Sequence, residues 1–313
     1  MENVTEKLVE LAREVRFDVL PASVVREAGR RLLDALGCMI AGAHGATTAA
    51  VRQVALALGG APESSILGSR ERTSCERAAL VNGTALRFLD FMDGHPGPYP
   101  CHPCFNIPPL LALAERVRAN GKQLATAIVT GYEIMPRFQE NSGLPDFGAR
   151  GWAGSTNLSF SVPLAAAGLL QLNREQTLSA LGMAVTHGGV LDAASHGQIP
   201  ANKSLLDGVT AANAIVAALL AEQGISGPQA VIEGPGGFAQ AVAGSINYDG
   251  LVAPIGRYKI LESYTKPYNT VKCGQTAVAA AYKLAEQNHL DWRDIETLRI
   301  GFARRDADRK SVV

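Results

Sequence analysis

Apolar and polar positions recur along most of this chain with the period of a helix. In NVTEKLVELAREV, Leu8, Leu11, Ala12 and Val15 share one face, and Asn3 with Glu6 has capping-box spacing. After Pro21 a long helix is predicted, with Ala28, Leu32, Leu36 and Ile40 four apart. NIPPLLALAERVRANG aligns Ile107, Leu110, Leu111, Ala114 and Val117, and Asn120-Gly121 reads as a left-handed stop. KQLATAIVTGYEIMPRF is helical until Pro136 kinks or ends it. Helices follow in LSFSVPLAAAGLLQL, in TLSALGMAV behind the capping pair Asn173 and Gln176, and in GVTAANAIVAALLAEQ, capped by Asp207 and stopped at Gly224.

The pattern changes near residue 255. RYKILESY (257–264) and IETLRIGFA (295–303) read as strands, with the helix QTAVAAAYKLAEQ between them. The expected fold class is mainly α: a large all-α helical domain over 1–254, then the beginning of an α+β domain over 255–313. Two strands and a helix rarely make an independent sheet domain, so the chain reads as truncated, or its second domain as unusually small.

Composition narrows the function classes. Lys plus Arg number 29, as do Asp plus Glu, which leaves no electrostatic footprint for nucleic acid or an anionic membrane. The N-terminus lacks the basic start and apolar core of a signal peptide. ALGCMIAGA, from Ala35, is too short to span a bilayer. Five scattered cysteines fit a reducing compartment. A cytoplasmic protein is expected, with no nucleic-acid and no membrane partner.

The densest chemistry is DFMDGHPGPYPCHPCFN, from Asp90 to Asn106. A redox role for Cys101 and Cys104 would need a CxxC that opens a helix after a strand, but a loop precedes it. A metal site would draw on His95, Cys101, His102 and Cys104, without the second ligand pair usual for structural zinc. Acid/base chemistry would use Asp90, Asp93, His95 and His102, against the plainer reading of a helix-end cap and solvated loop histidines. Lys203 in PANKSLL and Lys266 in TKPYN are either ordinary lysines or cations for substrate carboxylates. EGPGGFAQA lacks the order of a nucleotide loop and reads as a tight turn.

Several separated stretches resemble one family, the 2-methylcitrate dehydratases and their relatives (MmgE/PrpD). They are NGTALRFLDFMDGH followed by HP, LLALAERVRANGKQLATAIVTGYEI, GPQAVIEGPGGFAQA and TKPYN, in order along the chain. The resemblance implies a helical first domain, an α+β second domain, a homodimer, and action on small polycarboxylates without an obligatory cofactor or metal. Its activities include dehydration of 2-methylcitrate, decarboxylation of cis-aconitate and epimerisation of an amino-dicarboxylate derivative. Carried over by position, it implies that Asp90 and His102 are catalytic and that Asp93, Lys203 and Lys266 bind substrate. Three positions depart from the family pattern: Gly94 replaces a threonine, and Ala153 and Gln275 replace histidines. The expected function is a dehydratase of a small hydroxy polycarboxylate. The alternatives are an epimerase, isomerase or decarboxylase on the same scaffold, a catalytically inactive fragment, or a metalloprotein.

Overall fold

In the computed structural model, which describes residues 3–97, 101–142 and 150–301, the expected helices form. α1 (Val4–Glu14) buries Leu8, Leu11 and Ala12, and the Asn3 side chain accepts the Glu6 N–H. A second cap comes from far along the chain: Glu233, in the glycine-rich turn, accepts the Thr5 N–H at 3.2 Å. EGPGGFAQA is therefore a turn that supplies a helix cap.

In α2 (Ala22–Gly42) the buried stripe is Val24, Ala28, Arg31, Ala35 and Met39. A strict spacing of four drifts from it, since three such steps accumulate about 120° on a 3.6-residue helix. Ile40, expected on the buried face, is 54% exposed as a result. α3 (Ala46–Ala57) leads to a small antiparallel pair, β1 (Ser64–Ser65) and β2 (Arg72–Thr73), with Ser64 opposite Thr73. α4 (Cys75–Phe88) then carries the chain to the Asp90 loop.

α5 (Ile107–Val117) ends one step earlier than the Asn120-Gly121 reading has it. Arg118 takes the left-handed cap, with φ +53°, and Asn120 starts α6 (Gly121–Asn141) in a reciprocal capping box with Gln123. Pro136 does not end α6, which continues to Asn141. α7 (Leu158–Leu170) and α8 (Arg174–His187) follow, α8 with the expected Asn173–Gln176 capping box.

α9 (Leu206–Glu222) is the central helix and packs on α4, α7 and α8. Ala201–Glu222 is long and apolar enough to cross a membrane by composition, with mean hydropathy 1.7, but over half of it is buried within the protein. It is so apolar because helices surround it. Asp207, expected as its N-cap, instead lies inside the first turn, buried and paired. A cap and a buried ion-pair partner look alike in sequence.

α4 and α9 cross where each has a glycine. A Cβ on Gly83 would lie 2.8 Å from the Gly208 Cα, so neither helix has room to yield. Gly83→Ala is expected to destabilise by about 1–3 kcal/mol through overpacking, despite alanine's better helix propensity. A lower urea midpoint at constant slope is the expected readout, and an unchanged midpoint would refute the close crossing. A second core region stacks Phe138 of α6 on Phe160 of α7, with ring centroids 3.7 Å apart, and closes on Phe238. The short α10 (Tyr248–Leu251) packs beside α6.

The chain divides into two compact units, Met1–Thr265 and Lys266–Val313. The expected strand at 257–264 is instead a 3-10 turn at Lys259–Glu262, and its one β-bridge joins Tyr264 to Gly94. In the second unit α11 (Gln275–Asn288) forms as read. Residues 295–301 of the second expected strand have no ladder partner among the described residues, and 302–303 lie outside them. Residue alternation marks a candidate strand, but a strand exists only where a neighbour accepts its hydrogen bonds.

Candidate functional site

The Asp90 loop starts from a sharp turn at the end of α4. The Asp90 N–H donates to the Arg87 carbonyl at 3.0 Å, and Asp90 adopts φ +49°. Aspartate tolerates this left-handed backbone better than most residues with a Cβ. The loop is held again at Gly94, which exchanges two backbone hydrogen bonds with Tyr264, at 3.0 and 2.8 Å. Residues 98–100, in the middle of the motif, lie outside the described residues.

Asp93 is wholly buried. One carboxylate oxygen accepts the Tyr132 hydroxyl at 2.7 Å and the other the Cys104 N–H at 3.2 Å, with Arg31 3.8 Å away. Burial outweighs these partners and pushes its pKa up. Arg31 in turn pairs with Glu27 and donates to the Ser263 carbonyl at 2.6 Å and the Thr265 hydroxyl at 3.2 Å. Beside them, Asp34 of α2 is pushed up to about 6 by burial and by the Asp93 charge.

His102 is fixed by the same loop. Its Nδ1 lies 2.7 Å from the Asp93 carbonyl oxygen, which can only accept, so Nδ1 carries a proton and donates. In the neutral ring Nε2 is then the basic nitrogen. The ring also meets Phe105 edge to face, with centroids 6.1 Å apart.

The two cysteines of the motif are buried, and burial with the Asp93 charge pushes both thiols well up. That is the reverse of what a redox or zinc-binding thiolate needs. The metal reading through His95 is redirected as well. His95 Nε2 lies 2.9 Å from Glu140 and 4.0 Å from Glu262, the only group with metal-ligand geometry among the described residues. Lys259 Nζ already stands 2.8 Å from Glu140 and 3.8 Å from Glu262, so an ammonium fills the cation position. Against the upward push of burial, His95 and Lys259 hold Glu140 below the usual carboxylate range.

Lys203 sits in the 3-10 turn Ala201–Leu205 that leads into α9. Its charge acts on Asp207, whose carboxylate accepts the Ser155 hydroxyl at 2.8 Å and faces Arg87 at 3.5 Å. Burial pushes Asp207 up against these partners. Phe105 links the two halves: the Arg87 guanidinium lies 5.7 Å from the centre of the ring that His102 meets. Lys266 is the first residue of the second unit.

Two of the departures have local explanations. A Cβ on Gly94 would come within 2.5 Å of the Tyr264 hydroxyl, so Tyr264 occupies the space a threonine side chain would need. Burial, with the Asp93 charge, pushes Tyr264 up to about 12, which keeps the phenol protonated. Gln275 staples its own loop: its amide donates to the Tyr268 and Thr270 carbonyls, at 2.8 and 2.9 Å, and accepts the Tyr268 N–H. Ala153 is buried and its N–H donates to the Val190 carbonyl at 2.8 Å. Arg87, Tyr264 and Asp34 were not among the expected residues. Arg87 and Tyr264 reach the site through contacts that no local pattern marks.

Residues 6–250 match the MmgE/PrpD N-terminal domain. The cis-aconitate decarboxylase-like protein oryM of Aspergillus oryzae is 31% identical over 246 residues, 74% of this chain and 49% of that protein. The cis-aconitate decarboxylase of Homo sapiens is 29% identical over 267 residues, 81% of this chain and 53% of that protein. The chain thus spans about half the length of the curated relatives it matches. With the domain match covering most of its helical unit and the quoted motifs in order, the chain belongs to the MmgE/PrpD family.

Proposed function

We propose that this protein acts on a small polycarboxylate as a carbon–carbon lyase of the cis-aconitate decarboxylase type. The observation that carries this reading is the anchored His102, whose Nδ1–H donates to Asp93 and whose Nε2 is the nitrogen able to exchange a proton. The names of the two relatives favour decarboxylation over the dehydration expected from sequence.

In such a decarboxylation the bond to one carboxylate breaks, and its electron pair moves into the carbon skeleton. A carbon of the substrate takes up a proton in exchange. His102, protonated at Nε2, supplies that proton, and Asp90 assists by holding or recharging it. Lys203 binds a retained carboxylate and stabilises the developing negative charge; for Lys266 a substrate-binding role rests on its motif TKPYN. Asp93 contributes by holding the His102 loop, since both of its oxygens are engaged within the protein. Tyr264, kept protonated, is a hydrogen-bond donor packed against Gly94 of the same loop. A homodimer is part of the same reading, which sedimentation of the full chain tests.

Incubation of the full chain with cis-aconitate in D2O separates the readings. Decarboxylation releases carbon dioxide and leaves one non-exchangeable deuterium in the product. A hydroxy acid that loses water restores the dehydratase reading. Deuterium uptake without loss of carbon dioxide or water marks an epimerase. A panel of di- and tricarboxylates that gives none of these rules out catalysis by this chain.

A further inference from the structure

We propose that Arg87 is a second cationic anchor for substrate, binding one carboxylate of a polycarboxylate next to the one held by Lys203. This rests on the polycarboxylate reading of the same site and adds a residue that sets how many carboxylates the site prefers.

Arg87 lies in the last turn of α4, three residues before Asp90. Its guanidinium carbon lies over the Phe105 ring, 5.7 Å from the centroid, and the same ring meets His102 edge to face. A cation over an aromatic face is attracted to it without using up its N–H groups. Its one ion-pair partner among the described residues is Asp207, at 3.5 Å, a distance too long for a strong hydrogen bond. Asp207 gives its better contact to the Ser155 hydroxyl, at 2.8 Å, and is also acted on by Lys203. The Arg87 side chain keeps 18% of its surface exposed.

A purely structural ion pair would be expected to close to hydrogen-bond distance and use the arginine fork on both carboxylate oxygens. Here the guanidinium stands beside an aromatic ring and one buried carboxylate, and its exposed part is open to a ligand. Its partners also place it between the His102 ring and the Lys203 turn. A carboxylate is the ligand that matches the planar fork. Asp207 is then the positioning residue: it holds Arg87, receives Ser155 and faces Lys203, joining α4, the Gly154–Asn157 turn and α9.

The test is calorimetric binding of tricarballylate and of succinate to the full chain, which compares three carboxylates with two in unreactive ligands. Arg87→Gln is expected to weaken tricarballylate by roughly 10- to 100-fold, as for loss of a charged hydrogen-bonded contact, and to collapse the preference for it over succinate. Arg87→Lys keeps the charge but not the fork and is expected to fall between the two. If Arg87 is only structural, Arg87→Gln lowers the melting temperature and weakens both ligands alike, which overturns the inference. Should Arg87→Gln not fold, Arg87→Lys decides: unchanged affinity and preference overturn it, and a several-fold loss confined to tricarballylate supports it. If the unaltered chain binds tricarballylate while Arg87→Gln binds it equally well, the inference falls and the polycarboxylate reading stands. If the unaltered chain binds neither ligand, both fall.

Discussion

Replacing His102 with asparagine is expected to lower turnover by roughly 100- to 10,000-fold, the range for removing a general acid or base, while the fold persists. Asparagine is chosen for its shape. Its amide N–H can reproduce the donation of Nδ1 to the Asp93 carbonyl, which lies 2.7 Å from the imidazole. It has no basic nitrogen in the place of Nε2. The variant therefore separates two roles of one side chain, holding the loop and moving the proton. Melting temperature and tricarboxylate binding should stay close to those of the unaltered protein. Deuterium incorporation into product should fall with turnover, because the same nitrogen delivers both. Turnover within a few-fold of the unaltered protein would remove His102 from the chemistry and shift the proton to Asp90 or Tyr264.

Glu133→Leu is expected to give the largest loss of stability, about 3–5 kcal/mol, by leaving a buried charge without its counter-ion. Glu133 and Arg137 are one turn apart on α6, both buried, with Nε donating to Oε1 at 2.8 Å. Arg137 also donates to the carbonyls of Leu251, at 3.2 Å, and Ala253, at 2.6 Å. The second oxygen of Glu133 accepts the Lys259 N–H at 2.9 Å. The pair thus pins residues 251–259 to α6, and that segment leads to Tyr264. Pairing the change with Arg137→Met should recover part of the loss, since two well-packed apolar side chains cost less than one stranded guanidinium. Recovery should be incomplete, because the Leu251 and Ala253 carbonyls and the Lys259 N–H still lose their partners. Urea unfolding of the single and double variants measures both quantities. A loss below about 1 kcal/mol for Glu133→Leu would mean that water reaches the pair and screens it.

Features written in short stretches are legible in the sequence. The α1 face, the Asn173–Gln176 capping box and the helical character of the first 250 residues follow from spacing alone, because i, i+3 and i+4 neighbours meet whatever the tertiary structure. The Asp90–His102 loop stood out because its residues are close in sequence. Asp207 was misread because an acidic residue at a helix start caps the helix in most settings, and only the third dimension shows Arg87 opposite it. Residues 257–264 were misread because an alternating segment needs a ladder, and here the chain offers only Gly94. Arg87 and Tyr264 were missed for a related reason. Arginine at the end of a helix normally reports on the dipole, and a tyrosine between Ser263 and Thr265 carries no local mark of the partner it meets.

The pairing of Gly94 with Tyr264 also bears on the order of events during synthesis. Helix pairs close in sequence, such as α4 with α5, α6 with α7 and α7 with α8, can pack as the chain emerges, whereas α4 waits for α9. The loop that carries Asp90 and His102 is closed by a partner some 170 positions later, and Arg31 waits for Ser263 and Thr265 in the same way. Contacts of such long sequence separation form late, because the chain between them must first be ordered. A nascent chain that has not yet released Tyr264 therefore lacks the backbone pairing that holds the Asp90 loop at Gly94.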